Sequence, residues 1–321
     1  MAKAHESLSD DETKTDGGAA RRRDPRLKEL GISCMLNTEV GSILAVIRRP
    51  SPSDPVADDP TAFSTASSHL VNSLKSLRSL IFHPRHSAWR FTDPSVYLSP
   101  FLDVIQSDDV PAAATGVALS AVLKILRLDV FDERTPGARD AIHSIVSAIT
   151  NCRLERTDPI SEDAVLTRVL QLLSVVLRAR ASVLLTDHAV CTVINACFQV
   201  VQQSAHRTDL LQRSARHTMH DLVQAVFARL PEVRAAESGD LGSDLEDDDG
   251  PPVGYGARCM VDIFHFLCSL LNVGEMVDFI EGYGSPSISS DEDVQLFALV
   301  LINSAVELGA KQLGSTRSFL G

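Results

Sequence analysis

VCTVINACFQVVQQSAHRTDLLQRSARHTMHDLVQAVFARLPEV, Val190 to Val233, carries two strongly periodic helices and no recognisable catalytic chemistry. In its first half Val190, Val193, Ile194, Cys197, Val200 and Val201 recur at three- and four-residue steps, which lines them along one side of a helix. In its second half Leu210, Leu211, Ala215, Leu222, Val223 and Val226 do the same, while Arg213, Arg216, His220 and Gln224 take other directions. Pro231 is expected to stop that helix, since it has no N–H to donate and its ring clashes with the preceding turn. Two apolar helix faces without a reactive constellation point to a protein that works by surfaces.

The same reading extends outward. Residues 1–30 mix acids, Ser and Gly with Arg21, Arg22 and Arg23 and lack the apolar residues that would repay ordering, so they are expected to form a disordered tail. A first helix follows through Leu36, Val40, Ile43, Leu44 and Ile47, with Arg48 and Arg49 at its end and Pro50 beyond. After the loop Pro50–Pro60, Leu70, Leu74, Leu77 and Ile81 mark a second helix that finishes by Pro84, and the two suit an antiparallel hairpin. Asp93-Pro94 and Ser99-Pro100 each read as an N-cap with Pro at the first helical position. Further helices are expected after Pro111, over Gly137–Arg153, from Asp158-Pro159 and from Thr186. Residues 233–258 are expected to be an acidic Gly/Pro linker around Asp244–Asp249, and 310–321 a tail. Between them lie apolar helices over Met260–Leu271 and Asp291–Leu308, separated by EGYGSPSISSDED (281–293).

No segment alternates with strand periodicity, so the fold class is all-α. Burying four or five aliphatic side chains does not repay the ordering of a fifteen-residue helix, so these helices must stack on one another. Helix pairs recurring roughly every 40 residues match an armadillo/HEAT-like helical repeat array. A single helical bundle is the alternative, because no strong internal repeat is visible.

The chain has 321 residues, 44% of them hydrophobic, and a formal net charge of −12 from 30 Lys+Arg and 42 Asp+Glu. That balance argues against nucleic acid as a partner, which would call for a basic face. The six cysteines, at 34, 152, 191, 197, 259 and 268, fall singly on apolar stretches without CxxC spacing, which fits a reducing, cytoplasmic compartment. The N-terminus lacks the apolar core of a signal peptide, and the longest apolar runs, such as Leu296–Ile302, fall far short of the ~20 residues that span a bilayer. Membrane contact is therefore expected to be peripheral.

The search for chemistry assigns no catalytic residue, no cofactor and no metal. His217 and His220 are three apart on one helix, but HExxH with its glutamate and third ligand is missing, so a structural or interfacial role is preferred. His83 and His86 flank a proline and read as loop residues. Cys191 and Cys197 sit among Val, Ile and Phe as buried thiols. GxSxG, GxxxxGK[ST] and GxGxxG signatures do not occur. The acidic run lacks the glycine and terminal glutamate of an EF-hand loop, and Arg21–Arg23 are balanced by nearby acids. The helix 291–308 is apolar on more than one side and must be covered by this chain, another copy or further sequence. Arg213, Arg216 and His220 are candidates for a partner-facing surface, with an ordinary solvated face as the competing reading.

Several stretches are more specific than their physics. CMLNTEVGSILAVIRR (34–49), VYLSPFLDVIQSDD (96–109), ALSAVLKIL (118–126), CRLERTDPISEDAVL (152–166), VCTVINACFQVVQQ (190–203), LLQRSARHTMHDLV (210–223), IFHFLCSLLN (263–272) and DEDVQLFALVLINSAVELG (291–309) resemble the N-terminal part of the plant GNOM-type large ARF guanine-nucleotide exchange factors. The resemblance implies an armadillo-like dimerisation and cyclophilin-binding domain over residues 31–232 and the start of an upstream homology region over 259–309. It also implies a homodimer with itself or a full-length homologue, contact with the upstream homology region, cyclophilin as a partner, and peripheral association with Golgi or endosomal membranes. Exchange on ARF belongs in such proteins to a later Sec-seven domain. The residues after Gly309 leave no room for one, so its glutamate matches no position here, and a regulatory, non-enzymatic role is expected. A helical-repeat adaptor unrelated to ARF, and an enzyme with an unfamiliar all-α site, are the rival readings.

Overall fold

The computed structural model describes residues 25–47, 65–83, 88–152, 159–205, 207–239, 254–271 and 292–317. Arg21–Arg23, Arg48 and Arg49, the Pro50–Pro60 loop, His86, the acidic run Asp244–Asp249 and most of the spacer 281–293 lie outside them. The described chain forms α1 (Pro25–Ile47), α2 (Thr65–Ile81), α3 (Pro94–Gln106), α4 (Ala112–Arg127), α5 (Ala138–Thr150), α6 (Pro159–Val176), α7 (Asp187–Ser204), α8 (Asp209–Ala228), α9 (Leu230–Gly239), α10 (Ala257–Ser269) and α11 (Glu292–Arg317). Two 3-10 turns, η1 (Trp89–Phe91) and η2 (Arg180–Leu184), precede α3 and α7. No strand occurs among the described residues, as the all-α reading expects.

Local chemistry sets several helix starts. Asp93 accepts a hydrogen bond from the Ser95 N–H with Pro94 in the first turn, and Thr186 and Thr208 cap α7 and α8 through Ala189 N and Leu211 N. Gly137 starts α5 at φ +76°, and a Cβ there would stand 2.7 Å from an Asp93 carboxylate oxygen, so the position admits only glycine.

Four expectations need correction. Ser99-Pro100 starts no helix: Pro100 is buried inside α3, where only one backbone bond is forfeited and the apolar surroundings hold the ring. α8 does close before Pro231, at Ala228, but helix resumes at once, with Pro231 in the first turn of α9, where a missing N–H costs nothing. Thus helix reaches Gly239, well into the expected linker 233–258. Helix also begins at Pro25, inside the expected tail 1–30, and α11 runs to Arg317, inside the expected tail 310–321. The N-terminal turn is held by tertiary bonds that composition does not reveal. Glu29 Oε2 accepts from the Trp89 backbone N–H at 2.8 Å, and the Trp89 indole N–H donates to Ser33 Oγ at 2.8 Å.

The helices stack in two rows. One row passes from α1 to α4, α6, α8 and α11, the other from α2 to α3, α5, α7 and α10, each member packing on the next. Cross-row packing of α1 with α2, α3 with α4, α5 with α6, α7 with α8 and α10 with α11 completes a ladder of five helix pairs. The apolar interior between the rows is continuous, from Ile32 and Leu36 at one end to Leu301 and Ala305 at the other. Polar clamps join successive pairs. Glu39 of α1, buried to 6% exposure, meets Lys124 of α4 at 2.5 Å, and Arg207 bridges Glu162 and Asp163 at 2.6 and 3.0 Å. Arg26–Ile47 is long and apolar enough to cross a membrane, contrary to the expectation from apolar runs. In the stack one face of it is sealed against its neighbours through Leu36, Val40 and Ile43, while Leu27 and Leu30 stay exposed.

Candidate partner surface at the α8, α10 and α11 end

The last helix pair sits on the stack through aromatic and small-residue contacts. Phe266 of α10 meets Phe198 of α7 edge-on at 5.2 Å between centroids, and two turns away along the same pair of helices the thiols of Cys259 and Cys191 lie 3.8 Å apart. The residues leading into α10 are docked as well. Gly256 N–H donates to Asp187 Oδ1 at 2.8 Å, and Gly254 lies so close to the Val183 carbonyl oxygen that a Cβ would stand 2.2 Å from it. Tyr255, between them, is buried under the Arg229 guanidinium at 4.5 Å, and its phenol is pushed up chiefly by that burial.

The three residues singled out on α8 separate here. Arg213 is exposed. Arg216 is half-buried, its guanidinium 5.6 Å above the Phe297 ring of α11, and its Nε is buried without a hydrogen-bond partner among the described residues. It packs α8 on α11 more as a flat apolar plate than as a free cation. His220 is also half-buried, and nearby Gln224 donates to Ser304 Oγ of α11 at 3.2 Å. His217 points to water at 76% side-chain exposure, 3.6 Å from Asp221 on its own helix, which also lies 3.6 Å from Arg178. Leu210, read as part of the apolar face, is 79% exposed because it shares the outward side of α8 with Arg213 and His217, while Leu211 beside it is sealed.

On α11 the inner face, Ala298, Leu301 and Ala305, is buried against α8 and α10. The opposite face presents Leu296, Leu299, Val300 and Val306 at 62, 51, 49 and 52% exposure, with Asn303 and Glu307, which hydrogen-bond each other, at its C-terminal end. These positions fall within about a third of the helix circumference at 3.6 residues per turn, so they form one aliphatic strip. A strip of this kind costs free energy in water and gains it against another apolar helix. Nothing else in this region offers chemistry. Among the described residues no three His, Cys, Asp or Glu side chains gather to hold a metal ion. Burial raises the Cys197 thiol well above its ordinary range and Cys152 to about 11, which leaves both protonated at neutral pH.

Sequence reading missed the contacts that fix this end: Gly254 on Val183, Arg229 on Tyr255, and the paired thiols. The glycines and the tyrosine lie in a stretch that composition assigns to a linker, and only their opposite partners give them a role.

Comparisons with known proteins agree with the resemblance. The Mon2/Sec7/BIG1-like dimerisation and cyclophilin-binding domain matches residues 61–233. The chain is 58% identical over 289 residues to the ARF guanine-nucleotide exchange factor GNL2 of Arabidopsis thaliana, covering 89% of this chain and 21% of that protein. It is 40% identical over 347 aligned residues to the exchange factor GNOM of the same plant, covering 88% of this chain and 23% of that one. A Golgi-specific brefeldin A-resistance guanine nucleotide exchange factor 1 homolog of Caenorhabditis elegans is 34% identical over 140 residues, covering 43% and 7%. The chain thus spans about a fifth of the length of the plant relatives it matches.

Proposed function

Since the chain belongs to the Mon2/Sec7/BIG1-like family of dimerisation and cyclophilin-binding domains, we propose that it is a self-associating, non-catalytic regulatory region of an ARF guanine-nucleotide exchange factor in vesicle-mediated transport. The observation that carries this reading is the family match over residues 61–233, which takes in α2 to α8 of the double row of helices. Such a stack acts by presenting faces, and the aliphatic strip of α11 is the kind of face that another helical surface covers.

Its partners in this reading are a second copy or a full-length homologue, the upstream homology region beginning near residue 259, and cyclophilin. ARF is reached through an exchange domain outside these helices. The setting is the cytoplasm and, peripherally, Golgi or endosomal membranes. Two measurements test the proposal. The purified chain should leave nucleotide release from ARF at its spontaneous rate; acceleration would overturn the non-catalytic role. Light scattering behind size exclusion should give a dimer mass at micromolar concentration; a strict monomer would overturn self-association.

A further inference from the structure

A second surface, on the other row of helices, has a different chemistry. Between α5 and α7 run two connecting hollows, of about 320 and 210 Å³, that share Thr150, Ala196 and Gln199. Neither is lined by Lys, Arg, Asp or Glu among the described residues. One wall belongs to α7, where Asn195, Gln199 and Gln203 follow one another at steps of four. Their carboxamides make no hydrogen bond among the described residues. The facing wall belongs to α5, where Thr150 Oγ1 donates to the Val146 carbonyl at 2.9 Å and its proton is thereby committed. Asn151 Nδ2 likewise donates to the Ser147 carbonyl at 2.9 Å. That wall therefore offers acceptor oxygens and the Ser147 hydroxyl, while the α7 wall offers carboxamide donors and acceptors at regular steps.

The spacing selects an occupant. Four residues of α-helix rise ~6.0 Å, and two residues of extended chain advance ~6.6 Å, so carboxamides at steps of four keep register with every second peptide unit along one edge of a strand. Flexible Gln side chains absorb the small difference. From His188 to Gln203 the groove follows α7 for about 22 Å, the length of six or seven extended residues. Its floor is apolar and shallow at Ala189, Ala196 and Val200, which suits small or aliphatic side chains at alternate positions.

We infer that the α5–α7 groove binds an uncharged peptide segment in extended conformation, gripped through its backbone by Asn195, Gln199 and Gln203. A helical ligand has no free main-chain groups to satisfy these carboxamides. Phosphate-bearing ligands would find no lysine or arginine among the described lining residues and a chain of net charge −12. This inference is independent of self-association through α11, which lies in the other row.

A phage-displayed library of linear heptapeptides, panned on the full chain, tests it. Enriched peptides should be uncharged at their centre. Their binding, read by fluorescence anisotropy of the acetylated and amidated peptides, should weaken about tenfold in the double variant Asn195→Ala, Gln199→Ala with an unchanged thermal midpoint. N-methylation of alternate backbone amides of the best peptide should weaken it as much, and this arm decides alone if the variant is destabilised. No enrichment over a blank surface, equal binding to a folded double variant, or binding indifferent to N-methylation at every position would overturn the inference.

Discussion

Helices α4 and α11 are both long and aliphatic, yet they meet opposite fates. In α4, Ala118, Leu119, Ala121, Val122 and Ile125 are all sealed, because α1, α3 and α6 close over it from three sides. In α11 only the side toward α8 and α10 is sealed, and Leu296, Leu299, Val300 and Val306 face outward. The difference lies in position along the ladder rather than in hydrophobicity. Among the described helices, an interior rung has a neighbour on each side in its row, while α11 has one on one side. Each helix of a stack depends on its neighbours for burial, so the terminal helix carries an apolar face that an additional surface can cover.

The largest effect should come from the sealed helix. Ile125→Ala should lower unfolding free energy by about 2–5 kcal/mol in a denaturant titration, through lost burial and the cavity left behind. A cost under ~1 kcal/mol would show that α4 is not closed over. Next, Gly254→Ala should cost about 1–3 kcal/mol and speed amide exchange throughout α10, because a methyl group cannot fit against the Val183 carbonyl. Unchanged exchange in α10 would mean that its packing on α7 does not depend on that docking, and the last pair would then stand apart from the others. Replacing Leu299 and Val300 together by Glu should leave the thermal midpoint nearly unchanged while weakening self-association at least tenfold, read by light scattering across a dilution series. Persistence of the dimer would move the interface off α11. The smallest test is chemical. Exposed Cys34 should react with a maleimide in the native state, whereas Cys197, fully buried and kept protonated, should label only on unfolding. Native labelling of Cys197 would reveal an opening between α7 and α8.

Reading the chain locally recovered what is local. Asp93-Pro94 and Thr186 announce α3 and α7 because a cap needs only its own next few residues. The apolar spacing of α7 predicted its buried face residue by residue, from Val190 to Val201. Ser99-Pro100 carries the same dipeptide signal as Asp93-Pro94 and was misread, since the earlier proline had already begun the helix. Pro231 marks the end of α8 as read, yet it also opens α9, because a proline in a first turn looks, from the sequence, like one after a last turn. The partner face was only partly legible. Arg216 on α8 was grouped with Arg213, but Phe297, 81 residues later, turns it into a packing residue. The carboxamides of Asn195, Gln199 and Gln203 stand at helical spacing in plain view, yet they acquire meaning only from the α5 wall facing them.

The sequence by itself determined the all-α class, most helix starts, the inward faces and the family, because these depend on period, capping and residue identity within a few turns. The tertiary structure alone decided which apolar faces are covered, which cations are free and where the supposed linker and tails become structure. Those outcomes depend on what arrives from fifty or more residues away, as Trp89 does at Glu29 and Val183 at Gly254. Local pattern fixes what a helix can bury, and only its neighbours fix what it does bury.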